Sequence, residues 1–597
     1  MSENNIIVAI DFGSAFTGYT YSFKGKNKNE IYYGKFEGTG ANIKTLNKVI
    51  INDSNELVNY GYSAEEYMKK GNLKQNEHFF ERIKMNLYSG QYTIKAVNSS
   101  KEIKLVDLIY IILDYLKKKA IEAIISSSRG FEDEYKYNEE SSKIRWVLTI
   151  PAIWDEKSKN IMMEAAEKAG IVNESKKELF FALEPEAASY YCANEMNVDN
   201  NLFNYPYIIC DLGGGTGDIV CHERIHENGV EKINEKHVPE GGAFGSDEIN
   251  KKFENQVLKV IFGNDLFDKL NTKFKESLKS NQKMKNISMK YINFKNEINH
   301  FKESLDENNY LKESMNIDCS IAYSVCKGIN IKEAIDNYNR KCRNGWKIED
   351  YGFDDEDDKT ISFPYKIIYD LTKDITEGIS KKLLEIISKI KNTATIFYVG
   401  GFTNSEFVVK LIRKNIEQKY PNIKHIRPPQ PGNAVIKGAI YYGLSPERIK
   451  SRKAKYSLGM NAYLDWEDKY KNINGKKLFD EEFGKYVCQN AFYNFISKDD
   501  DIPINNRVVR PMILRNSGNG KYGGELIIYK SPKIKTLLID EEGVDEIGRF
   551  RILVESEKEY NLEERIFNIT MDLGGTFLNA TAYHEKSDTK VNMEFKY

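Results

Sequence analysis

The sequence predicts an α/β chain built as two related lobes with a β-rich C-terminal appendage, and three observations predict it. The apolar run IIVAI (6–10) ends at Asp11, crosses a glycine-containing turn and resumes as a strand at YTYSF (19–23). The same order returns where the strand Tyr207–Cys210 runs into DLGGGTGD (211–218) and then IVCHER. A repeated strand, glycine turn and strand marks an internal duplication, two lobes closing on one ligand. After Arg452 the style changes, with GELIIYK, RFRILVES, IFNITMDL and KVNMEFKY reading as short alternating strands between turns. The boundary falls near 450, leaving 1–450 as the lobe pair and 451–597 as the appendage. At 597 residues the chain exceeds what one core accommodates.

The remaining elements follow in order. Residues 105–125 read as a helix, and FEDEYKYNEESSK (131–143) reads as a charged loop before the strand WVLTI (146–150). Pro151 then opens a helix on which Trp154, Ile161, Ala165 and Ala169 recur near helical spacing. TIFYV (395–399) is a buried strand ending at Gly400-Gly401, and Asn404 or Ser405 can cap the helix continuing EFVVKLIRK. PPQPGNAVIKGAIYYG (428–443) joins a proline turn to a small-residue helix able to pack closely against another. The stretch 263–360 is rich in lysine, asparagine and acids, and its acidic run 354–358 reads as a solvated loop.

Composition narrows the function classes. Basic and acidic residues number 87 and 88, a net charge of -1, which gives no global pull toward nucleic acid or anionic membrane. LVDLIYIILDYL (105–116) carries Asp107 and Asp114 and does not span a bilayer. The N-terminus lacks a basic n-region, and its apolar run stops at Asp11, so it reads as a core strand and not a signal peptide. Seven scattered cysteines without a CxxC pair read as thiols in a reducing, cytoplasmic setting, with no disulfide framework or zinc site.

Chemistry concentrates in the two glycine turns, Asp11-Phe-Gly-Ser-Ala-Phe-Thr-Gly18 and Asp211-Leu-Gly-Gly-Gly-Thr-Gly-Asp218. A strand ends in an aspartate, and glycine follows because a side chain there would block the backbone from a phosphate. Turn N–H groups, with the Ser14 and Thr216 hydroxyls, then donate to phosphate oxygens. The two aspartates face a magnesium ion that keeps most of its waters. Asp572-Leu-Gly-Gly-Thr576 looks similar but has neither third glycine nor second aspartate, and reads as a plain turn. Glu184 in ALEPEAAS, the Gly241-Gly242-Ala-Phe-Gly245-Ser246 turn and Gly400-Gly401, which ends a buried strand, add further backbone-exposing or acidic segments to the two turns.

The ordered set DFGSAFTG, WVLTIPAIWDEKSKNIMMEAAEKAG, LEPEAAS, DLGGGTGD, GGAFGSDEIN, YVGGFTNS and PGNAVIKGA resembles the nucleotide-binding domain of heat-shock-70 proteins over about residues 5–450. FFERIKMNLY (79–88), GGFTNS and SRKAKYSLG (451–459) are similar to one divergent branch of it, the heat shock 70 kDa protein 12 group. The resemblance implies the two-lobed actin-like ATPase fold with duplicated ribonuclease-H-like lobes, ATP or ADP with magnesium as cofactors, and slow hydrolysis. It implies Asp11 and Asp211 on the magnesium side, and Gly13, Ser14, Gly213, Gly214, Gly215 and Thr216 on phosphate. Lys84 would neutralise charge on the γ-phosphate, and Glu184 would orient a water. Gly245, Ser246, Gly400 and Gly401 would line the nucleoside, and Lys302 matches an adenosine-contacting lysine, with a solvated helix lysine as its other reading. Phe402 and Asn404 depart from the family's small hydroxyl residue and adenine-stacking arginine, and Gly217 replaces a common phenylalanine.

The resulting expectation is an ATP-driven, chaperone-like switch whose partners are nucleotide and an unfolded peptide or specific protein client. Its alternatives are a nucleotide-binding scaffold without turnover, an actin-like filament protomer and a small-molecule kinase. A helical lid is not expected within 451–597.

Overall fold

The computed structural model describes residues 6–24, 30–38, 42–127, 144–171, 179–195, 200–277, 290, 292–299, 314–326, 329–352, 359–504, 506–516, 521–555 and 559–595. Lys302, the 131–143 segment and the 354–358 run lie outside them. The chain divides into two compact units, one of residues 1–219 and 240–446 and one of residues 220–239 and 447–597.

In the first unit the strand Ile6–Phe12 is buried along its whole length, as its unbroken apolar run demands of a strand covered on both faces. It pairs parallel with Ile144–Ile150, which pairs parallel with Leu179–Leu183. On its other side it pairs antiparallel with Phe16–Phe23, so the first glycine turn is the tip of a hairpin. Register places Asp11 beside Thr149 and Gly18. The strand Tyr207–Leu212 repeats this local plan: it too is wholly buried and pairs parallel with Thr395–Val399, which pairs with Lys424–Ile426. Asp211 sits opposite Val399, one residue from its strand's end as Asp11 is from its own. Both aspartates therefore lie at the carboxyl ends of parallel strands, where α/β sheets bind ligands.

Helices cover these strands. The helix Leu105–Ile125 forms as its apolar spacing predicts, burying Leu105, Leu108, Ile109, Ile112, Leu113 and Leu116. Pro151 does not open the next helix. That helix runs Glu156–Lys168, capped by Asp155, whose carboxylate accepts from Ser158 N at 2.8 Å. The cap satisfies an end donor that Pro151 could not have helped, so the start moves to the better N-cap. Ser405 takes the cap position of the helix Glu406–Glu417 without a side-chain bond. The small-residue helix Ala434–Leu444 packs on Glu184–Glu195, and Gly438 permits it: a Cβ there would lie 1.7 Å from the Ala187 carbonyl oxygen.

The second unit is antiparallel. One sheet runs in the order 477–480, 485–496, 457–465, 521–531, 545–555 and 594–595, and another in the order 507–513, 566–572, 579–584 and 589–592. Met460, Tyr522, Ile528 and Phe550 from the first share one core with Phe567, Ile569, Met571 and Ala582 from the second, a sandwich. The strand Ile566–Asp572 alternates buried and half-buried positions, as the sequence pattern predicts. The Asp572–Thr576 segment joins two strands of this sheet. Residues 220–239, a hairpin that sequence gives no reason to assign here, pair with Ile449–Lys453, and buried Glu235 accepts from Lys453 N at 2.9 Å. Among the described residues of this unit the longest α-helix is Asp468–Lys471. All seven cysteines are free thiols, six of them buried. No helix among the described residues is long and apolar enough to cross a membrane.

Candidate functional site

A cavity of about 490 Å³ opens in the first unit where the two aspartate-tipped strands end. Its size falls within the range of small-molecule sites. Asp11, Gly13, Ser14, Lys84, Glu184, Asp211, Gly213, Gly214, Thr216, Ser246, Gly400 and Gly401 line it, bringing most of the expected residues to one wall.

The two glycine turns face each other across van der Waals distance. A Cβ on Gly214 would lie 2.9 Å from Ala15 Cβ, and one on Gly215 would lie 3.0 Å from Ser14 Oγ and 2.1 Å from Met85 Sδ. The second turn closes on itself through Gly213 N donating to Thr216 O at 2.9 Å. Gly245 braces this turn from behind. Its Cβ would strike Gly214 O at 2.2 Å, and the next two amides, Ser246 N and Asp247 N, donate to Gly213 O and Gly214 O. Gly215 and Gly245 therefore support the wall, and Ser246 reaches it. Gly400 holds φ at +88°, and a Cβ there would lie 2.4 Å from Asp211 Oδ1, so only glycine fits.

Lys84 enters on the short helix Ile83–Tyr88, whose preceding residue Arg82 adopts a left-handed conformation at φ 59°. For a residue with a Cβ that geometry costs about 1–2 kcal/mol. Strain of this kind is tolerated where a side chain must be aimed. The Lys84 ammonium donates to Glu184 and lies 5.6 Å from the centre of the Trp154 ring. Glu184 is the first residue of its helix, directly after the strand Leu179–Leu183.

Around Asp11 the structure adds partners that carry no motif. Thr149 Oγ1 donates to Oδ1 at 2.9 Å, and Lys44 Nζ donates to Oδ2 at 2.6 Å. Lys44 also donates to the Gly432 carbonyl at 2.7 Å. Asp218, the last residue of the second turn, lines the cavity and accepts from Ile153 N at 3.3 Å. Sequence alone offers no signal for Lys44, and the structure shows why it fits: a Cβ on Gly18, which closes the first motif, would stand 3.0 Å from Lys44 Cγ.

Electrostatics separate the carboxylates. Burial would raise Asp11, but Lys44, Lys84 and the Thr149 hydrogen bond outweigh it and hold it below the ordinary carboxylate value. Burial pushes Glu184 up despite Lys84. It pushes Asp211 well up, with Glu184, Asp218 and Asp11 adding to the shift. Burial opposes the charge of Lys84, but Glu184 and Asp11 prevail and raise its pKa. Four carboxylates (Asp11, Glu184, Asp211, Asp218) thus share the wall with two ammonium groups (Lys44, Lys84), two formal negative charges in excess. Among the described residues no three acidic, histidine or cysteine side chains close on one point as direct metal ligands. A hard divalent cation that keeps several waters suits such a wall.

Phe402, Asn404, Ser405, Asn433 and Val435 also line the cavity. Phe402 is buried, Asn404 is exposed, and the buried Ser405 hydroxyl has no hydrogen-bond partner among the described residues.

No family model matches the chain. Among curated proteins it is similar to heat shock 70 kDa protein 12A of Mus musculus, at 24% identity over 99% of this chain and 91% of the relative. The Homo sapiens protein 12A matches at 23% over the same shares. Heat shock 70 kDa protein 12B of Homo sapiens matches at 21% over 85% of this chain and 78% of the relative. Over 85–99% of its length the chain is thus similar to proteins of the heat shock 70 kDa protein 12 branch, at an identity that marks it as a divergent relative.

Proposed function

We propose that residues 1–450 bind ATP with magnesium in this cavity and hydrolyse it slowly, as the motor of a chaperone-like conformational switch in the cytoplasm. One observation carries the reading: two glycine turns, each following a strand-terminal aspartate, oppose one another across a single cavity that also holds the Lys84–Glu184 pair. Their strands share one local plan, in keeping with duplicated ribonuclease-H-like lobes of an actin-like fold. Residues 451–597 would then serve as the partner or peptide module.

The residues fit the group in two respects. A Cβ at Gly13, Gly214 or Gly400 would meet backbone or side-chain atoms of the cradle at 2.1–2.9 Å, so the turns are shaped for backbone approach. The excess negative charge calls for a divalent cation, which Asp11 and Asp211 would hold largely through its waters. Held there by Asp11 and Asp211, magnesium would supply charge neutralisation to the phosphates. Turn amides with Ser14 and Thr216 would fix the phosphates, and Lys84 would compensate charge at the terminal phosphoryl group. Glu184, with its raised pKa, would accept a hydrogen bond from the attacking water and take its proton. Ser246, Gly400 and Gly401 would receive the nucleoside, with Phe402 and Asn404 in place of a small hydroxyl residue and a stacking arginine.

A nucleotide-binding scaffold without turnover is the second reading, favoured by Lys44 already engaging Asp11. Titration calorimetry with magnesium-ATP, followed by single-turnover hydrolysis in wild type and Asp11→Asn, tests both. Micromolar binding with slow hydrolysis lost in Asp11→Asn supports the switch. Binding without hydrolysis supports the scaffold, and absence of binding refutes both.

A further inference from the structure

Lys44 belongs to no recognisable motif, yet its ammonium occupies the cavity wall beside Asp11. An ammonium carries three donors. Two are committed, to Asp11 Oδ2 at 2.6 Å and to the Gly432 carbonyl at 2.7 Å. The third is left for whatever fills the cavity. The side chain is 15% exposed, so its charge acts with little screening by water. Gly18 leaves room for its stem: a Cβ there would stand 3.0 Å from Lys44 Cγ. The lysine is therefore held in place before any ligand arrives, and little side-chain entropy remains to be lost on binding.

The charge balance gives it a task. Asp11, Glu184, Asp211 and Asp218 repel a polyphosphate, and among the described lining residues only Lys44 and Lys84 are cationic. Lys84 is already turned to Glu184.

We propose that Lys44 is a phosphate ligand of this cavity, its third N–H donating to a phosphoryl oxygen of the nucleotide while Asp11 and the Gly432 carbonyl hold the ammonium. This assignment rests on the nucleotide reading above. Because Gly432 stands two residues before the helix Ala434–Leu444, the contact links the phosphate to that helix's start.

The test is calorimetry on the full chain with magnesium-ATP, magnesium-ADP and adenosine, for wild type, Lys44→Met and Lys44→Arg. A charge-assisted hydrogen bond predicts a loss of about 10- to 100-fold in ATP and ADP affinity for Lys44→Met. Adenosine affinity should stay unchanged, and Lys44→Arg should recover part of the loss. Inorganic pyrophosphate should compete with ATP in wild type, and at least tenfold less well in Lys44→Met. Wild-type ATP affinity in Lys44→Met overturns the assignment, and so does an equal loss for adenosine, which marks a purely structural lysine. If Lys44→Met does not fold, Lys44→Gln carries the same comparison with the same outcomes. A wild type that binds none of the ligands overturns the nucleotide reading and this assignment together. A wild type that binds ATP no better than Lys44→Met overturns the lysine alone.

Discussion

Replacing Lys84 with methionine should destabilise the nucleotide-free first unit by about 3 kcal/mol, and adding Glu184→Gln should restore most of it. The side chains are 5% and 11% exposed, so the ion pair is largely desolvated. Breaking such a pair from one side leaves a buried charge and costs about 3–5 kcal/mol. Two features hold the figure at the low end. Glu184 is already raised by burial, so without Lys84 it takes a proton instead of remaining charged. Methionine also keeps the apolar stem against Trp154, which the Lys84 ammonium approaches to 5.6 Å. The double variant removes both charges at similar volume and should lie within about 1.5 kcal/mol of wild type.

Urea unfolding followed by tryptophan fluorescence measures the cycle through Trp146, Trp154 and Trp346, all buried in the first unit. With two units present, the midpoint of the transition is compared and not an extrapolated free energy. Its pH dependence has a definite sign. Glu184 has a raised pKa in the folded state, so its contribution is present at low pH and lost as pH rises through that value. Losing Lys84 raises it further, and the gap between wild type and Lys84→Met should be wider at pH 8 than at pH 5. A single variant with the wild-type midpoint, or a double variant whose midpoint falls by the sum of the two single shifts, refutes the reasoning.

Gly438→Ala should cost about 3 kcal/mol, read as a lowered melting temperature, because the new Cβ meets Ala187 O at 1.7 Å and only separation of the two helices relieves it. An unchanged melting temperature would show that the helices do not approach so closely. Asp211→Asn should stabilise the nucleotide-free protein, and by more near pH 7.5 than near pH 4. The wild-type carboxyl has its pKa raised by burial and by Glu184, Asp218 and Asp11, so its cost to the folded state grows as pH rises. Denaturation midpoints at both pH values measure it, and a pH-independent gain sinks the argument.

Much of the first unit was legible because its signals are local. Buried runs such as IIVAI and TIFYV have few conformational options, and a glycine turn after a strand-terminal aspartate is a pattern within eight residues. Lys84 became visible through the resemblance, and Glu184 through its ALEPEAAS segment, each within a short local stretch. Lys44 stayed hidden because its place depends on tertiary pairing: Thr45 and Leu46 pair with Thr17 and Phe16, which delivers the preceding lysine to Asp11. The Gly432 carbonyl had no signature at all, since a backbone oxygen is identical in every residue. Thr149 was placed by strand register, which sequence leaves open until both strands are paired. Gly245 was expected on the nucleoside, but backbone hydrogen bonds put its turn behind the second glycine turn. The 220–239 hairpin was assigned to the lobes, and its partner strand begins only at Ile449.

The glycine turns solve a steric problem and leave an electrostatic one. They offer backbone donors at close approach, but the wall behind them carries two more carboxylates than ammonium groups. A bare polyphosphate entering here would be repelled, and a bare divalent cation would find no three side-chain ligands converging among the described residues. Each lacks what the other brings. Under the proposed reading, the cation supplies the charge that lets phosphate approach Asp11 and Asp211, and phosphate oxygens supply the ligands that the wall does not. The two would therefore bind as one body. Lys44, fixed between Asp11 and the Gly432 carbonyl, would sense its arrival, because it touches both a strand-end aspartate and the turn leading into the Ala434–Leu444 helix.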